Sequence, residues 1–167
     1  MKGLILLWVA NAHNGGLLTR DELCTLVKRF NAENEAQILR GLCDVVNRVN
    51  SDVDELRKMY DFGFISCKET PSSRTVESEM CAQMLEIVLD GREQFHHVKS
   101  FIKFLVCCIC DLAVHCPYHV YHLLVFVCKQ NSGKRERVNG DEWNCVFNFC
   151  LKFGDDLSAY DDTSSCL

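Results

Sequence analysis

SEMCAQMLEIVLDGREQFHHVKSFIKFL, residues 78–105, decides how the rest of the chain is read. Met80, Met84, Ile87 and Val88 recur at helical spacing and form an apolar stripe, the pattern of a helix lying on a core. Just upstream, Thr75 offers a side-chain oxygen able to cap a segment running from Val76 to Leu89. Gly91 stands where a left-handed helix end favours a residue without a Cβ. Beyond it, Val98, Phe101, Ile102 and Leu105 set out a second helix.

The same pattern extends in both directions. Asp54 to Cys67 carries Leu56, Met59, Tyr60, Phe62 and Phe64, and stops at Lys68-Glu69-Thr70-Pro71-Ser72-Ser73, a solvated connection by composition. Asn34 to Val49 places Ile38, Leu42, Val45, Val46 and Val49 on one side, with Arg40, Asp44, Asn47 and Arg48 elsewhere. Thr19 opens a capping box, because its hydroxyl can accept an orphan amide hydrogen while Glu22 reaches back to the cap amide. Leu23, Leu26, Val27 and Phe30 follow at helical spacing. Leu4 to Ala10 is too short to cross a bilayer, which takes ~20 apolar residues, and reads as the end of a buried helix. Towards the C-terminus, Val138-Asn139-Gly140-Asp141 starts a helix whose apolar positions are Trp143, Val146, Phe147, Phe149 and Cys150. No convincing alternating strand is found, so the expected fold class is all-α.

A chain of 167 residues, 48% of them apolar, suits a single domain spanning 1–167. Its net charge of −5, without a basic block, excludes a nucleic-acid groove that works by phosphate neutralisation and suits a basic protein partner better. The stretch from Asn11 to Glu22, which joins two helices as a calcium loop would, lacks the alternating carboxylates of one. There is no glycine-rich phosphate loop, no G-x-S-x-G elbow and no H-E-x-x-H helix, so no catalytic residues are assigned. His13, His96 and His97 read as solvated or packed histidines.

The 12 cysteines raise a disulfide scaffold, and Met1 to Ala12 has some features of a secretory leader. Against both, Cys24, Cys43, Cys81, Cys145 and Cys150 fall among apolar residues at helical spacing, as small hydrophobes do. Reduced thiols are expected. The run from Val106 to Cys128 concentrates cysteine and histidine, including Cys107-x-x-Cys110 and His115-x-x-x-His119. A zinc site would need a second C-x-x-C, and Cys108 crowds the first pair. A membrane helix would have to bury Asp111, at a cost of ~3 kcal/mol near the bilayer centre. Neither metal, cofactor nor membrane is expected.

GDEWNCVFNFCLKFGDDLSAYDD, residues 140–162, resembles the potentiating-neddylation domain of the defective-in-cullin-neddylation family, with an acidic residue two before a tryptophan and then D-D-L-S-x-Y-D. Residues 78–105 are similar to that family's helix, glycine turn and following helix. LRKMYDFGFISCKE, residues 56–69, resembles its F-Y-x-F-x-F segment. ILLWVANA and LLTRDEL, residues 5–12 and 17–23, resemble its buried tryptophan helix and the helix start after it. The resemblance runs from about Leu4 to Asp162 in the family's order, and implies an all-α, EF-hand-like helical domain. It sets apart residues 106–128 as an insertion outside the family pattern, expected to be translated intervening sequence or a gene-model artefact. It also marks the domain as incomplete at its C-terminus and lacking an N-terminal ubiquitin-associated module.

What the resemblance implies is a non-enzymatic scaffold. It would hold a cullin C-terminal domain and the conjugating enzyme of neddylation, so that a cullin lysine attacks the enzyme-bound thioester with less orientational freedom to lose. The family's acidic cullin-binding patch uses an aspartate just before the tryptophan helix, matched by Asp141, together with a terminal A-W-P-x-x-x-D-x-F-V-E segment that Tyr160 to Leu167 does not match. Its apolar slot for the acetylated N-terminal methionine of the conjugating enzyme is matched by Leu6, Leu18 and Ile87, with a polar neighbour falling in Asn14-Gly15-Gly16. Each of these three apolar residues is also a core position by periodicity, and Asp141 also serves as a favourable charge at a helix start. Cytoplasm and/or nucleus follow as the expected location. The competing class is a helical Cys/His-rich protein that binds zinc or acts in redox chemistry.

Overall fold

Seven helices and two short strands make up the described part of the chain, residues 1–12, 17–107 and 137–153 of a computed structural model. They fall into two units, Met1–Cys67 and a second that begins at Lys68.

The first unit contains α1 (Lys2–Ala10), α2 (Arg20–Phe30), α3 (Glu35–Ser51) and α4 (Val53–Ser66). α1 packs against all three of the others, which accounts for its apolar composition, although Leu6 and Leu7 stay partly open to solvent. Ile5, Val9 and Ala10 are buried there, while Trp8, expected to be buried, is only half-buried. α2 turns a narrower face inward. Its Leu26 is buried, but Leu23 is 46% exposed, contrary to the reading of both as one apolar face. Val45 and Val49 of α3 meet a core completed by Leu56, Met59, Tyr60 and Phe64 of α4.

Local chemistry sets the ends of these helices. The capping box expected at Thr19 is formed: its Oγ1 accepts from the Glu22 amide at 3.3 Å, and its own amide donates to Glu22 Oε2 at 2.7 Å. α1 and α2 both end on an asparagine in the left-handed region, Asn11 (φ 54°) and Asn31 (φ 47°). The amides of Ala12 and Ala32 then reach back to Leu7 O and Val27 O, the bonds of a Schellman ending. Asp52 serves two helices: its amide donates to Arg48 O at the end of α3, and its Oδ1 accepts from the Asp54 amide at the start of α4. Arg29 Nη1 donates to Val9 O at 3.1 Å and so ties the last turn of α2 to the last turn of α1.

The second unit runs β1 (Thr75–Glu77), α5 (Ser78–Val88), α6 (Val98–Cys107), β2 (Arg137–Asn139) and α7 (Gly140–Lys152). β1 and β2 pair antiparallel, with Thr75 opposite Asn139, Val76 opposite Val138 and Glu77 opposite Arg137. The fold is mostly α, and this ribbon is the exception to the all-α expectation. Strands of three residues are too short to carry an alternation, and their partners lie some 60 residues apart. The ribbon also corrects the role given to Thr75, which sits in β1; the helix begins at Ser78, after Glu77.

On α5 the buried residues include Cys81, Ala82, Leu85 and Val88, so of the expected stripe only Val88 is fully in the core. Met80 and Ile87 point away, 40% and 45% exposed, with Met84 half-buried. Apolar residues stand on more than one side of this helix, so they define no unique stripe; tertiary packing decides which side is inside and leaves Glu79, Gln83 and Glu86 outside. Gly91 does adopt a left-handed φ of 77° in the turn that follows. Open space surrounds the position of its missing Cβ, so conformation alone selects glycine there.

Candidate partner-binding site

α7 carries the aspartate singled out by sequence, and its start is fixed by a reciprocal pair of hydrogen bonds. Asn139 Oδ1 accepts from the Glu142 amide at 2.9 Å, and Glu142 Oε2 accepts from the Asn139 amide at 2.9 Å. This capping box gives the helix-start duty to Glu142. Asp141, one residue earlier, is exposed on the first turn, where the positive end of the helix favours a carboxylate and solvent leaves it accessible.

Behind that turn, α7 is anchored by aromatic packing. Trp143, Phe147, Phe149 and Cys150 are all buried. Phe95 meets Phe147 edge-on at 4.9 Å, and Phe101 meets Phe149 edge-on at 5.7 Å, arrangements that aromatic quadrupoles favour. The α5–α6 connection docks directly: the His96 amide donates to Cys150 O at 3.0 Å, and the His97 ring lies 5.7 Å from Phe149. His97 takes a left-handed φ of 62°, and its carbonyl accepts from the Ser100 and Phe101 amides to begin α6. Both histidines are therefore packed against the fold, as one of the two sequence readings had it. Arg92 Nε donates to Val88 O at 2.8 Å, capping the last turn of α5 while burial pulls the guanidinium below its ordinary pKa.

The second anchor is Arg137 on β2. Its Nε donates to Thr75 Oγ1 at 2.8 Å and its Nη2 reaches Glu69 Oε2 at 3.2 Å, fastening the ribbon that leads into α7.

The three apolar candidates divide between the units. Leu6 lies half-buried on α1, and Leu18 lies half-buried just before α2, on either side of the α1–α2 connection. Ile87 projects from α5 in the second unit with Met80, which sequence analysis had assigned to the core and which shares its outward side. The amphipathic pattern did not single these two out, because apolar residues stand on the outward side of α5 too, among Glu79, Gln83 and Glu86. The polar neighbour in Asn14-Gly15-Gly16 lies outside the described residues, as do most of residues 106–128 and the terminal segment.

Among the described residues, no group of three His, Cys, Asp or Glu side chains could hold a metal ion, and no helix is long and apolar enough to cross a membrane. The Cys110, His115 and His119 part of the metal reading falls outside them. Of the cysteines read as small hydrophobes, Cys81 and Cys150 are buried, Cys145 is half-buried, and Cys24 and Cys43 are exposed on α2 and α3. Burial pushes the Cys150 thiol up to about 12, the reverse of what a redox or ligand thiol needs.

Residues 38–165 match the sequence model of a family described as Cullin binding. The chain is also 22% identical over 162 residues to DCN1-like protein 2 of Dictyostelium discoideum, a match that covers 97% of this chain and 50% of the relative. It thus spans about half the length of that curated relative.

Proposed function

We propose that this chain, which belongs to the Cullin binding family, promotes cullin neddylation as a non-catalytic scaffold that holds a cullin C-terminal domain and the neddylation conjugating enzyme together. The observation that carries this reading is the family match over residues 38–165, which takes in Asp141 on its solvent-facing first turn. A carboxylate presented there, on a helix clamped by Trp143 and Phe147, costs little to order when a basic surface arrives. Its contribution is that of an exposed ion pair, at most ~1 kcal/mol, so it selects and orients more than it binds.

On the conjugating-enzyme side, Ile87, exposed on α5, supplies apolar surface for an acetylated N-terminal methionine, the role the resemblance also implies for Leu6 and Leu18 of the first unit. Acetylation removes the charge that would otherwise have to be desolvated, and burying the methionine side chain is worth ~2 kcal/mol. Bond making stays with the conjugating enzyme: holding lysine and thioester in register lowers the barrier without a nucleophile from this chain. Such a scaffold works where cullins are modified, in the cytoplasm and/or nucleus.

Titration calorimetry of the full chain with a cullin C-terminal domain tests the reading. Wild type binds, and Asp141→Ala binds about fivefold more weakly, the equivalent of ~1 kcal/mol. Equal affinities would remove Asp141 from the interface. A parallel titration with an acetyl-methionine peptide of the conjugating enzyme should lose affinity in Ile87→Asp, a change at an already exposed position.

A further inference from the structure

The connection from α4 to β1 contains Thr70, Pro71, Ser72, Ser73 and Arg74, and its hydroxyls cluster with one another rather than serving a helix. Thr19 Oγ1 caps α2, Thr25, Ser51 and Ser66 donate to carbonyls of their own helices, and Ser78 is buried. Thr70 Oγ1 instead lies 3.1 Å from Ser72 Oγ and 2.8 Å from Ser73 Oγ, in a turn closed by the Ser73 amide on Thr70 O. Thr70, Pro71 and Ser72 are exposed, and no helix or strand has to open to release them. Pro71 holds the residue before it towards extended backbone, the shape in which a protein kinase takes up its substrate.

A cation already spans this loop. Arg137 holds Glu69 Oε2 at 3.2 Å on one side of it and Thr75 Oγ1 at 2.8 Å on the other, and Lys68 and Arg74 flank it in sequence. A phosphoryl group on Thr70 carries about −1.5 to −2 charges and three acceptor oxygens, against a single charge on the neighbouring Glu69 carboxylate. The planar fork of a guanidinium suits the phosphate better than it suits one carboxylate oxygen.

We infer that Thr70 is an acceptor for a proline-directed protein kinase and that the phosphate so formed is held by the Arg137 guanidinium. In the transfer, Thr70 Oγ forms the new bond to the γ-phosphorus of ATP, the bond to the bridging oxygen breaks to release ADP, and the hydroxyl proton leaves to the kinase's base. Because Arg137 sits in β2 opposite Glu77, the phosphate then ties the loop to the ribbon. The modified chain is more firmly held at this end of the second unit.

The test is to incubate the full chain with a proline-directed kinase and ATP, and to locate phosphate by site-resolved mass spectrometry. The expected product carries phosphate at Thr70 and none there in Thr70→Val. In the phosphorylated wild type, Tm rises by about 2–4 °C. The phosphorus resonance should titrate at lower pH than in phosphorylated Arg137→Gln, with Arg137→Lys, which keeps the charge without the fork, in between. Absence of phosphate at Thr70, or its appearance on Ser72 or Ser73 instead, would overturn the acceptor assignment. A phosphorus titration unchanged by Arg137→Gln would overturn the role of Arg137, and does not depend on how stable that variant is.

Discussion

The ring of Phe30, at the end of α2, lies directly over Gly41 in the middle of α3: a Cβ built on Gly41 would stand 2.6 Å from Phe30 Cδ1 and 2.7 Å from Cγ. These are ring atoms next to the main chain, so the side chain cannot yield by bending at its tip. Glycine inside a helix costs about 1 kcal/mol relative to alanine, yet here it makes room for the Phe30 ring against α3. Gly41→Ala is therefore expected to destabilise by about 1–3 kcal/mol, as overpacking does. In a Phe30→Ala background the same change should turn stabilising, by up to about 1 kcal/mol, because only the helix propensity remains. Urea denaturation of the four proteins in this cycle reads the sign reversal, and additive effects would contradict the contact.

Asn139, Asp141 and Glu142 are neighbours with separable duties. Asn139→Ala and Glu142→Ala each break one arm of the capping box and should each cost about 1 kcal/mol, with a coupling between them because the two bonds share one turn. Asp141→Ala should change stability by less than about 0.5 kcal/mol, since only a solvated charge near the helix start is lost. If Asp141→Ala weakens cullin binding without moving the denaturation midpoint, its role lies at the interface. If the midpoint falls as far as it does for Asn139→Ala, the carboxylate is a structural charge and the proposed contact loses its support.

What could be read from sequence followed the range of the interactions. Local devices were legible: the Thr19 box, the start of α7 at Asn139 and the left-handed Gly91 each depend on residues within one turn. Core positions were legible where a helix has one apolar face, as at Val45 and Val49, and misassigned where apolar residues also stand among the exposed polar ones, as at Met80 and Ile87. The β1–β2 ribbon was not legible, because Val76 and Val138 acquire their pairing only through the tertiary fold. The candidate site divides in the same way. Asp141 was singled out through the family resemblance of the segment around Trp143, while the exposure of Ile87 and the clasp of Arg137 on Glu69 and Thr75 depend on contacts that no short window contains.

The cysteines should separate by reactivity. Cys24 and Cys43 are exposed, and Cys67 is half-buried with its thiol pushed up by burial. Cys150 is buried at about 12. At pH 8 its thiolate fraction is lower than that of an ordinary exposed thiol by more than about a thousandfold. Iodoacetamide at pH 8, followed by peptide mapping, should label Cys24 and Cys43 first, Cys67 more slowly, and Cys81 and Cys150 only as the second unit opens. Addition of urea should then accelerate the last two selectively. Early labelling of Cys150 would mean that the contact between the α5–α6 connection and α7 is not stably formed.

Asp61, on α4, gives a stability dependence on pH whose sign is the reverse of the usual carboxylate. Burial pushes its carboxyl above the ordinary aspartate value, and Arg57, one turn earlier, offsets only part of this. A group that holds its proton more tightly when folded adds stability below its unfolded pKa of about 3.9, and that stability is lost as pH rises through the higher folded value. At neutral pH the ionised Asp61 is thus a small penalty. Asp61→Asn keeps the shape and removes the charge, and should be stabilising at pH 7 by no more than about 0.5 kcal/mol, given the solvent that still reaches the site. The advantage should vanish below about pH 3.9, where both side chains are neutral. Thermal melts of the two proteins from pH 3 to 8 should therefore diverge as pH rises. Curves that instead diverge towards acid, with wild type the more stable at neutral pH, would show that Arg57 outweighs burial and that Asp61 works as a salt-bridged carboxylate.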